Sequence, residues 1–269
     1  MFGVRLRSGI ILVALALLTI ISGGYVLFGT LLAISLIGLG ELYRAARIQK
    51  KDAMGLAMTG YLATVVYYGM LLLKLENYST ILLIFILVAF LFVYVFTFPK
   101  YQSEQVMGAF FGVVYVSVML SYIYQTRNLT DGAYLVWLIF LCSWGCDTCA
   151  YCVGMLIGKH KMSPILSPKK SVEGAVGGVV GAAILGAVYA AVVGKYLQAE
   201  NQVVMYAVIC AVGALISMVG DLAASAIKRN HEIKDYGTLI PGHGGILDRF
   251  DSVIFTAPII YFLASTFIH

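Results

Sequence analysis

A polar segment from Asp221 to Asp251 interrupts an otherwise apolar chain and carries side chains suited to binding a cation and phosphate. Its charged residues are Asp221, Lys228, Arg229, Glu232, Lys234, Asp235, Asp248, Arg249 and Asp251. On a helix, Asp221, Ser225 and Lys228 would share one face, and Asp248 and Asp251 would also point together. Two carboxylate clusters at helix ends suit Mg²⁺, which binds carboxylates together with phosphate and water. Interfacial salt bridges with the neighbouring Lys and Arg side chains are the alternative.

One further carboxylate, Asp147, lies within an apolar run, in the stretch CSWGCDTCAY. A carboxylate at membrane depth costs about 2.5–3.5 kcal/mol on insertion scales, so such residues usually face a polar interior. We interpret Asp147 as a functional residue. Structural pairing with a polar partner is the alternative.

Two glycine- or lysine-containing stretches have features of anion sites. Glycines in Pro241-Gly-His-Gly-Gly245 free the backbone to turn and to present N–H groups to an anion, and His243 could bind phosphate or donate a proton. A simple turn is an equal alternative. The sequence from Ser167 to Gly174 places two lysines before a helix start, where phosphate is favoured. A generic basic loop of a membrane protein is the alternative there.

The composition predicts an all-α, polytopic integral membrane protein. The chain has 269 residues, of which 61% are hydrophobic and only 12% charged, whereas soluble domains carry about 25% charged residues. Its apolar runs are continuous over about 20 residues, as membrane helices require, and do not alternate as barrel strands do. The net charge of +5 is explained by basic loops on the inner side of a membrane, and we expect no nucleic-acid partner.

The hydropathy pattern predicts nine transmembrane helices in a single membrane domain covering residues 1–269. Gly23-Gly24 divides the first long apolar run into a helical hairpin, with one strongly tilted helix as the alternative. The predicted spans are 8–22, 25–41, 55–73, 78–98, 105–125, 133–157, 174–194, 202–224 and 252–268. Within this domain, residues 1–140 supply N-terminal spans and residues 141–269 form the catalytic region.

The distribution of basic residues predicts a cytoplasmic N-terminus. With nine spans, all but Lys74, Arg127 and Lys195 of the 18 Lys and Arg residues fall on the same side as the N-terminus. Cytoplasmic loops are enriched in Lys and Arg, so this side is the cytoplasm. The basic loop 158–171 and the polar segment 225–251 then both face the cytoplasm.

Small residues in the later spans predict close helix packing. Gly177 and Gly181 have the spacing that allows membrane helices to approach closely, either within one chain or in a homodimer. Four cysteines at 142, 146, 149 and 152 lie along one side of a predicted helix. We interpret them as packing residues, because metal-binding thiolates usually converge from loops.

These motifs together resemble the phosphatidate cytidylyltransferases, also called CDP-diacylglycerol synthases. The resemblance is dense from about residue 143 to 255. It is carried by Asp147-Thr148-x-Ala150-Tyr151, by Ser167-Pro168-x-Lys170-Ser171-x-Glu173-Gly174, and by Ser225-x2-Lys228-Arg229-x4-Lys234-Asp235-x-Gly237-x2-Ile240-Pro241-x-His243-Gly244-Gly245-Ile246-x-Asp248-Arg249-Phe250-Asp251.

The resemblance implies conversion of CTP and phosphatidate to CDP-diacylglycerol and pyrophosphate at a cell inner (plasma) membrane. It also implies Mg²⁺, with a monovalent cation such as K⁺ beside it. Membrane lipids would be further partners. The implied catalytic residues are Lys170, Asp221, Lys228 and Asp248. The implied metal ligands are Asp147, Asp221, Asp248 and Asp251. The implied substrate-binding residues are Ser167, Ser171, Ser225, Arg229, Lys234, Asp235, His243, Gly244, Gly245 and Arg249.

Two other functions remain open from the sequence. Intramembrane acids and glycine-rich helices also suit an ion-coupled transporter, although the chain has no internal repeat and its charges cluster on one face. A CTP-dependent enzyme acting on an isoprenoid lipid is the second alternative.

Overall fold

The computed structural model describes residues 2–48, 54–197 and 202–268, and these form nine helices and one small sheet. The helices are α1 (Phe2–Ser22), α2 (Gly24–Ala45), α3 (Met54–Leu72), α4 (Glu76–Phe96), α5 (Ser103–Arg127), α6 (Gly132–Ile157), α7 (Val172–Tyr196), α8 (Val203–Asn230) and α9 (Leu247–Phe267). Eight of them are long and apolar enough to cross a membrane, and α1 adds a shorter apolar segment, Gly9–Ser22. The predicted all-α, multi-pass membrane bundle is therefore confirmed.

The first two helices form a hairpin and not one tilted helix. Gly23 and Gly24 have φ angles of 60° and 47°, a left-handed conformation that glycine adopts without a steric penalty. Arg127 packs against Gly23, and its Nε donates to the Ile20 carbonyl at 3.2 Å. The break thus depends on glycine conformation, and a guanidinium from α5 satisfies a carbonyl at the end of α1.

Four predicted helix ends were wrong, each by several residues, and the first of them is the start of α1, which begins at Phe2 and not at residue 8. Helix α2 continues to Ala45, past the predicted end at residue 41, so Arg44 is helical, and residues 49–53 of the connection to α3 lie outside the described residues. Helix α8 continues to Asn230, and α9 begins at Leu247. The predicted loop 225–251 is therefore reduced to a connection of residues 231–246 between two helices that extend beyond their apolar spans.

The basic loop 158–171 is ordered as a β-hairpin. Strands β1 (Lys161–Ser163) and β2 (Ser167–Ser171) pair antiparallel, with Lys161 opposite Ser171. The second strand leads directly into α7. The hairpin therefore places Lys170 immediately before a helix N-terminus.

The glycines of α7 serve packing within the chain. A Cβ added at Gly177 would overlap Val153, and one at Gly181 would overlap Cys149, both on α6. The glycine face of α7 thus lies against α6 of the same chain, as one of the two interpretations predicted. The homodimer contact stays a prediction.

The site-bearing helices share their packing with the N-terminal helices. One core cluster contains Leu31 of α2, Leu120 of α5 and Phe250 of α9, and the predicted boundary at residue 140 falls inside α6. Elements from both ends of the chain therefore hold the polar segment.

Candidate active site

The β-hairpin and α8 are joined by an ion pair between Lys170 and Asp221. About a quarter of each side chain remains exposed. The pair brings together residues from the two polar stretches that the sequence singled out. Both side chains line one cavity, so a charged ligand in that cavity would be able to contact either member of the ion pair.

Local hydrogen bonds fix the hairpin that carries Lys170. The Ser171 hydroxyl oxygen accepts the backbone N–H of Gly174 at 3.1 Å and so caps α7. The Glu173 carboxylate accepts the backbone N–H groups of Lys159 and His160 at 3.1 and 3.2 Å. The predicted helix-start role of Ser171 is confirmed, and Lys170 projects from a tethered strand.

Asp248 is the acceptor at the centre of the second cluster. Its Oδ1 accepts Lys228 Nζ at 3.0 Å, and its Oδ2 accepts the backbone N–H groups of Tyr236 and Gly245 at 2.8 and 2.9 Å. Only 2% of the Asp248 side chain is exposed. These contacts tie α8, the 231–246 connection and α9 to one carboxylate.

The 231–246 connection folds as a tight turn around its glycines. Gly242 and Gly244 have φ angles of 78° and 84°, and Ile240 N–H donates to the Gly244 carbonyl at 2.8 Å. His243 N–H donates back to Ile240 at 2.9 Å. The motif therefore forms a turn, and its proposed role toward an anion stays a prediction.

Tyr236 anchors the same connection to α8. Its hydroxyl donates to the Ala224 carbonyl at 3.1 Å, and Lys228 Nζ lies 5.3 Å from the centre of its ring. Burial raises the pKa of the Tyr236 phenol well above its usual range, so the hydroxyl stays protonated and remains a donor.

Three carboxylates interact electrostatically beside these lysines. Asp147 and Asp251 each lie close enough to Asp221 for charge repulsion, and Asp251 Oδ2 is 4.0 Å from Lys228 Nζ. Lys170 and Lys228 offset part of this negative charge. Acids from α6, α8 and α9 therefore meet at one place, as the sequence predicted for Asp147 and the polar segment.

Two cavities meet at these acids. The first, of about 450 Å³, has a polar end formed by Asp147, His243, Asp248, Arg249 and Asp251, and its apolar wall includes Leu12, Ala16, Leu31 and Phe140. The second, of about 440 Å³, lies under the β-hairpin and is lined by Asp147, Met155, Lys169, Lys170, Ser171 and Asp221. We call them the apolar cavity and the hairpin cavity. Asp147 lines both.

The acids suit a metal that is shared with a substrate. Among the described residues, no three His, Cys, Asp or Glu side chains form a ready-made metal site. Mg²⁺ usually takes only one or two protein carboxylates and completes its shell with phosphate oxygens and water. Of the acids Asp147, Asp221 and Asp251, the first and third line the apolar cavity, and the first and second line the hairpin cavity. Each pair of carboxylates fits that requirement.

Several predicted substrate-binding residues lie farther from the cavities. Ser225 lies one turn beyond Asp221 on α8 but outside the lining of either cavity, as do Ser167, Arg229, Lys234 and Asp235. The last three of these five are exposed to solvent. Gly244 and Gly245 lie in the turn behind Asp248, and the Gly245 N–H is already donated to that carboxylate.

Two polar residues near the site were missed in the sequence. Glu41 on α2 is only 1% exposed and contacts the start of α9. Tyr115 lies in a π-helical turn of α5, Val113–Val118, and its buried hydroxyl finds no hydrogen-bond partner in the described part of the chain, although it interacts electrostatically with Asp221 and Asp251. In the sequence, the available signal for each of these residues was a polar side chain in or next to an apolar run.

Comparison with known proteins agrees with the motif resemblance. The model of the cytidylyltransferase family matches residues 3–267. Phosphatidate cytidylyltransferases from Staphylococcus saprophyticus and Staphylococcus haemolyticus are each 31% identical over 263 residues, and the enzyme from Staphylococcus aureus is 30% identical over the same length. Each alignment covers 97% of this chain and 98% of the relative. The chain therefore belongs to the cytidylyltransferase family.

Proposed function

We propose that this protein transfers the cytidylyl group of CTP to phosphatidate, forming CDP-diacylglycerol and pyrophosphate. The observation that carries the proposal is the meeting of two cavities of different character at one cluster of acids and lysines. Family membership and relatives of nearly equal length support the same reaction.

The reaction needs positioning more than covalent chemistry. A phosphatidate phosphate oxygen attacks the α-phosphorus of CTP, and the bond from that phosphorus to the bridging oxygen breaks to release pyrophosphate. Both reactants are anionic and repel one another. A site that neutralises their charge and aligns the two phosphates lowers this barrier.

The apolar cavity suits phosphatidate. Its wall is formed largely by aliphatic side chains of α1 and α2, which would contact acyl chains, and its polar end contains Arg249 and His243. The Nε of Arg249 is buried and has no hydrogen-bond partner among the residues that the structure describes. A buried guanidinium N–H without an acceptor favours an anionic ligand such as a lipid phosphate.

The hairpin cavity suits the triphosphate of CTP. Lys169 and Lys170 line it together with Ser171 at the N-terminus of α7, where the helix dipole favours negative charge. In this proposal Lys170 exchanges its contact with Asp221 for a phosphate oxygen. Lys228, Arg229 and Lys234 would add positive charge on the same side.

We infer that Mg²⁺ is held by Asp147 together with Asp221 or Asp251, with phosphate oxygens and water completing its shell, and that a monovalent cation such as K⁺ binds beside it. A bound Mg²⁺ would neutralise phosphate charge and polarise the phosphoryl oxygens. Asp248 is the fourth predicted ligand, but its carboxylate already accepts three hydrogen bonds. We therefore assign Asp248 the task of holding Lys228 and the 231–246 connection in place.

Purified protein in detergent is expected to form CDP-diacylglycerol from CTP and phosphatidate only when a divalent cation is present. Product would be measured with Mg²⁺, with excess EDTA, and with Mg²⁺ restored after EDTA. Undiminished turnover in EDTA would exclude the metal assignment.

A polyisoprenyl phosphate assayed in parallel tests the identity of the lipid substrate. If the protein clearly prefers it, the polyisoprenyl phosphate replaces phosphatidate as the acceptor. Absence of nucleotidyl transfer to either lipid would leave transport as the better function.

We also propose that the site faces the cytoplasm from the inner membrane, as the distribution of Lys and Arg favours. A cysteine at exposed Thr238 is expected to react with a membrane-impermeant thiol reagent only in inverted vesicles. A cysteine at exposed Asn128, in the turn after α5, is the matched control and should react only in right-side-out vesicles. Both are built in a chain whose five native cysteines are replaced. The reversed labelling pattern would overturn the orientation.

A further inference from the structure

Glu41 is a buried acid whose partners lie at the other end of the chain. Its Oε1 accepts the Ile246 N–H at 3.0 Å, and its Oε2 accepts the Leu247 N–H at 2.8 Å. Only 1% of the residue is exposed. A buried carboxylate in a membrane helix is unfavourable unless donors satisfy it, so the position of Glu41 depends on these two backbone groups.

The donors are N–H groups at the start of α9, which the helix cannot satisfy itself. Ile246 occupies the N-cap position and has no side-chain oxygen. Glu41 supplies the missing acceptors from α2, and its negative charge lies where the α9 dipole favours it. One carboxylate thus caps α9 from the N-terminal half of the chain.

Glu41 also explains two glycines of the polar segment. A Cβ added at Gly237 or at Gly245 would overlap the Glu41 carboxylate. Neither glycine has a positive φ, unlike Gly242 and Gly244. A side chain at either glycine would therefore displace the Glu41 carboxylate from its present position, whereas the backbone conformation of the two glycines does not itself require glycine.

We propose that Glu41 is a positioning residue for nucleotidyl transfer, fixing the first turn of α9 so that Asp248, Arg249 and Asp251 point into the site. The proposal rests on the proposed function. Residue Asp248 directly follows the two capped positions, and its Oδ2 accepts from Gly245, which Glu41 contacts. If the capped first turn of α9 shifted, the contact between Asp248 and Lys228 would move, and the residues at the polar end of the apolar cavity would move with it.

Isosteric Glu41→Gln tests the proposal. Its amide nitrogen would face a backbone N–H, so one of the two capping bonds is lost. We expect kcat to fall about 10- to 100-fold, as for other residues that orient catalytic groups, with a smaller change in the KM for CTP. Glu104→Gln, at the exposed start of α5, is the matched control and should leave kcat unchanged. Assays well below the unfolding temperature of each variant separate positioning from stability. Unchanged kcat in Glu41→Gln overturns the proposal, as does a loss that disappears at lower temperature.

A double-mutant cycle with Gly245 identifies what the glycine is for. Gly245→Ala should impair turnover while Glu41 is present, because the added methyl group meets its carboxylate. In a Glu41→Ala background the same change should have little further effect. If Gly245 instead contacted a substrate phosphate, Gly245→Ala would lower turnover equally in both backgrounds. That result would overturn the proposal. If Glu41→Ala does not fold, Glu41→Asp replaces it, since its shorter side chain also clears the methyl group. A wild-type protein without nucleotidyl transfer would instead overturn the proposed function.

Discussion

Asp221→Asn is expected to lower kcat/KM for CTP and phosphatidate by about 10³-fold, the upper range for loss of one preorganised electrostatic group. Asparagine keeps the shape of the side chain but removes the charge that pairs with Lys170 and that would hold a cation. Both groups line the hairpin cavity. The variant would therefore lose the charge balance of the site without a change in packing.

Lys170→Met is expected to lower kcat/KM by about 10²-fold or more, because it removes positive charge from the proposed triphosphate site. The double variant should lose little beyond the more damaging single variant, since groups that act as a unit are not additive. Lys161→Met and Glu232→Gln are the matched controls, as both residues are exposed near the site and line neither cavity. Normal turnover by a folded Asp221→Asn protein would refute the assignment of Asp221.

The membrane fold was predictable because a bilayer imposes length and hydropathy on every spanning helix. The division of the first apolar run was predictable for a different reason. Gly23 and Gly24 can adopt left-handed backbone conformations, and the distribution of Lys and Arg also favoured a hairpin. The structure has both features: left-handed glycines and two helices.

Helix ends were less predictable because hydropathy marks the apolar layer and not the helix. Glu41 and Lys228 follow apolar runs, and the sequence interpretation ended the spans near them. Glutamate and lysine are good helix formers, and backbone hydrogen bonding continues past the apolar layer. Helices α2 and α8 therefore extend to Ala45 and Asn230.

The contacts within the site were only partly predictable. Spacing rules place Asp221 and Lys228 on one helix face because they act over a turn or two. No such rule relates Glu41 to Ile246, which are 205 positions apart, or shows that a π-helical turn carries Tyr115. The predicted acids did meet, but how their oxygens are shared between lysines and backbone N–H groups required the structure.

Asp248→Ala is expected to be the most destabilising change in the site and to reduce kcat/KM by about 10²-fold. It removes the acceptor of two backbone N–H groups, those of Tyr236 and Gly245, and leaves Lys228 Nζ with only the more distant Asp251 Oδ2 at 4.0 Å. Breaking a buried ion pair by removing one partner costs about 3–5 kcal/mol. Thermal unfolding in detergent and kcat/KM measured on the same preparations would give both effects.

A second change separates stability from activity at Asp248. Adding Lys228→Met to Asp248→Ala removes the positive charge that has lost its nearest carboxylate, so part of the lost stability should return, as when buried ion pairs are replaced by apolar groups. Activity should not return, because the 231–246 connection still lacks its acceptor and the proposed phosphate contact of Lys228 is gone. Recovery of both stability and turnover would show that Asp248 serves only to neutralise Lys228. Recovery of stability alone is the expected result, and it would show that the site needs these two side chains for more than their mutual neutralisation.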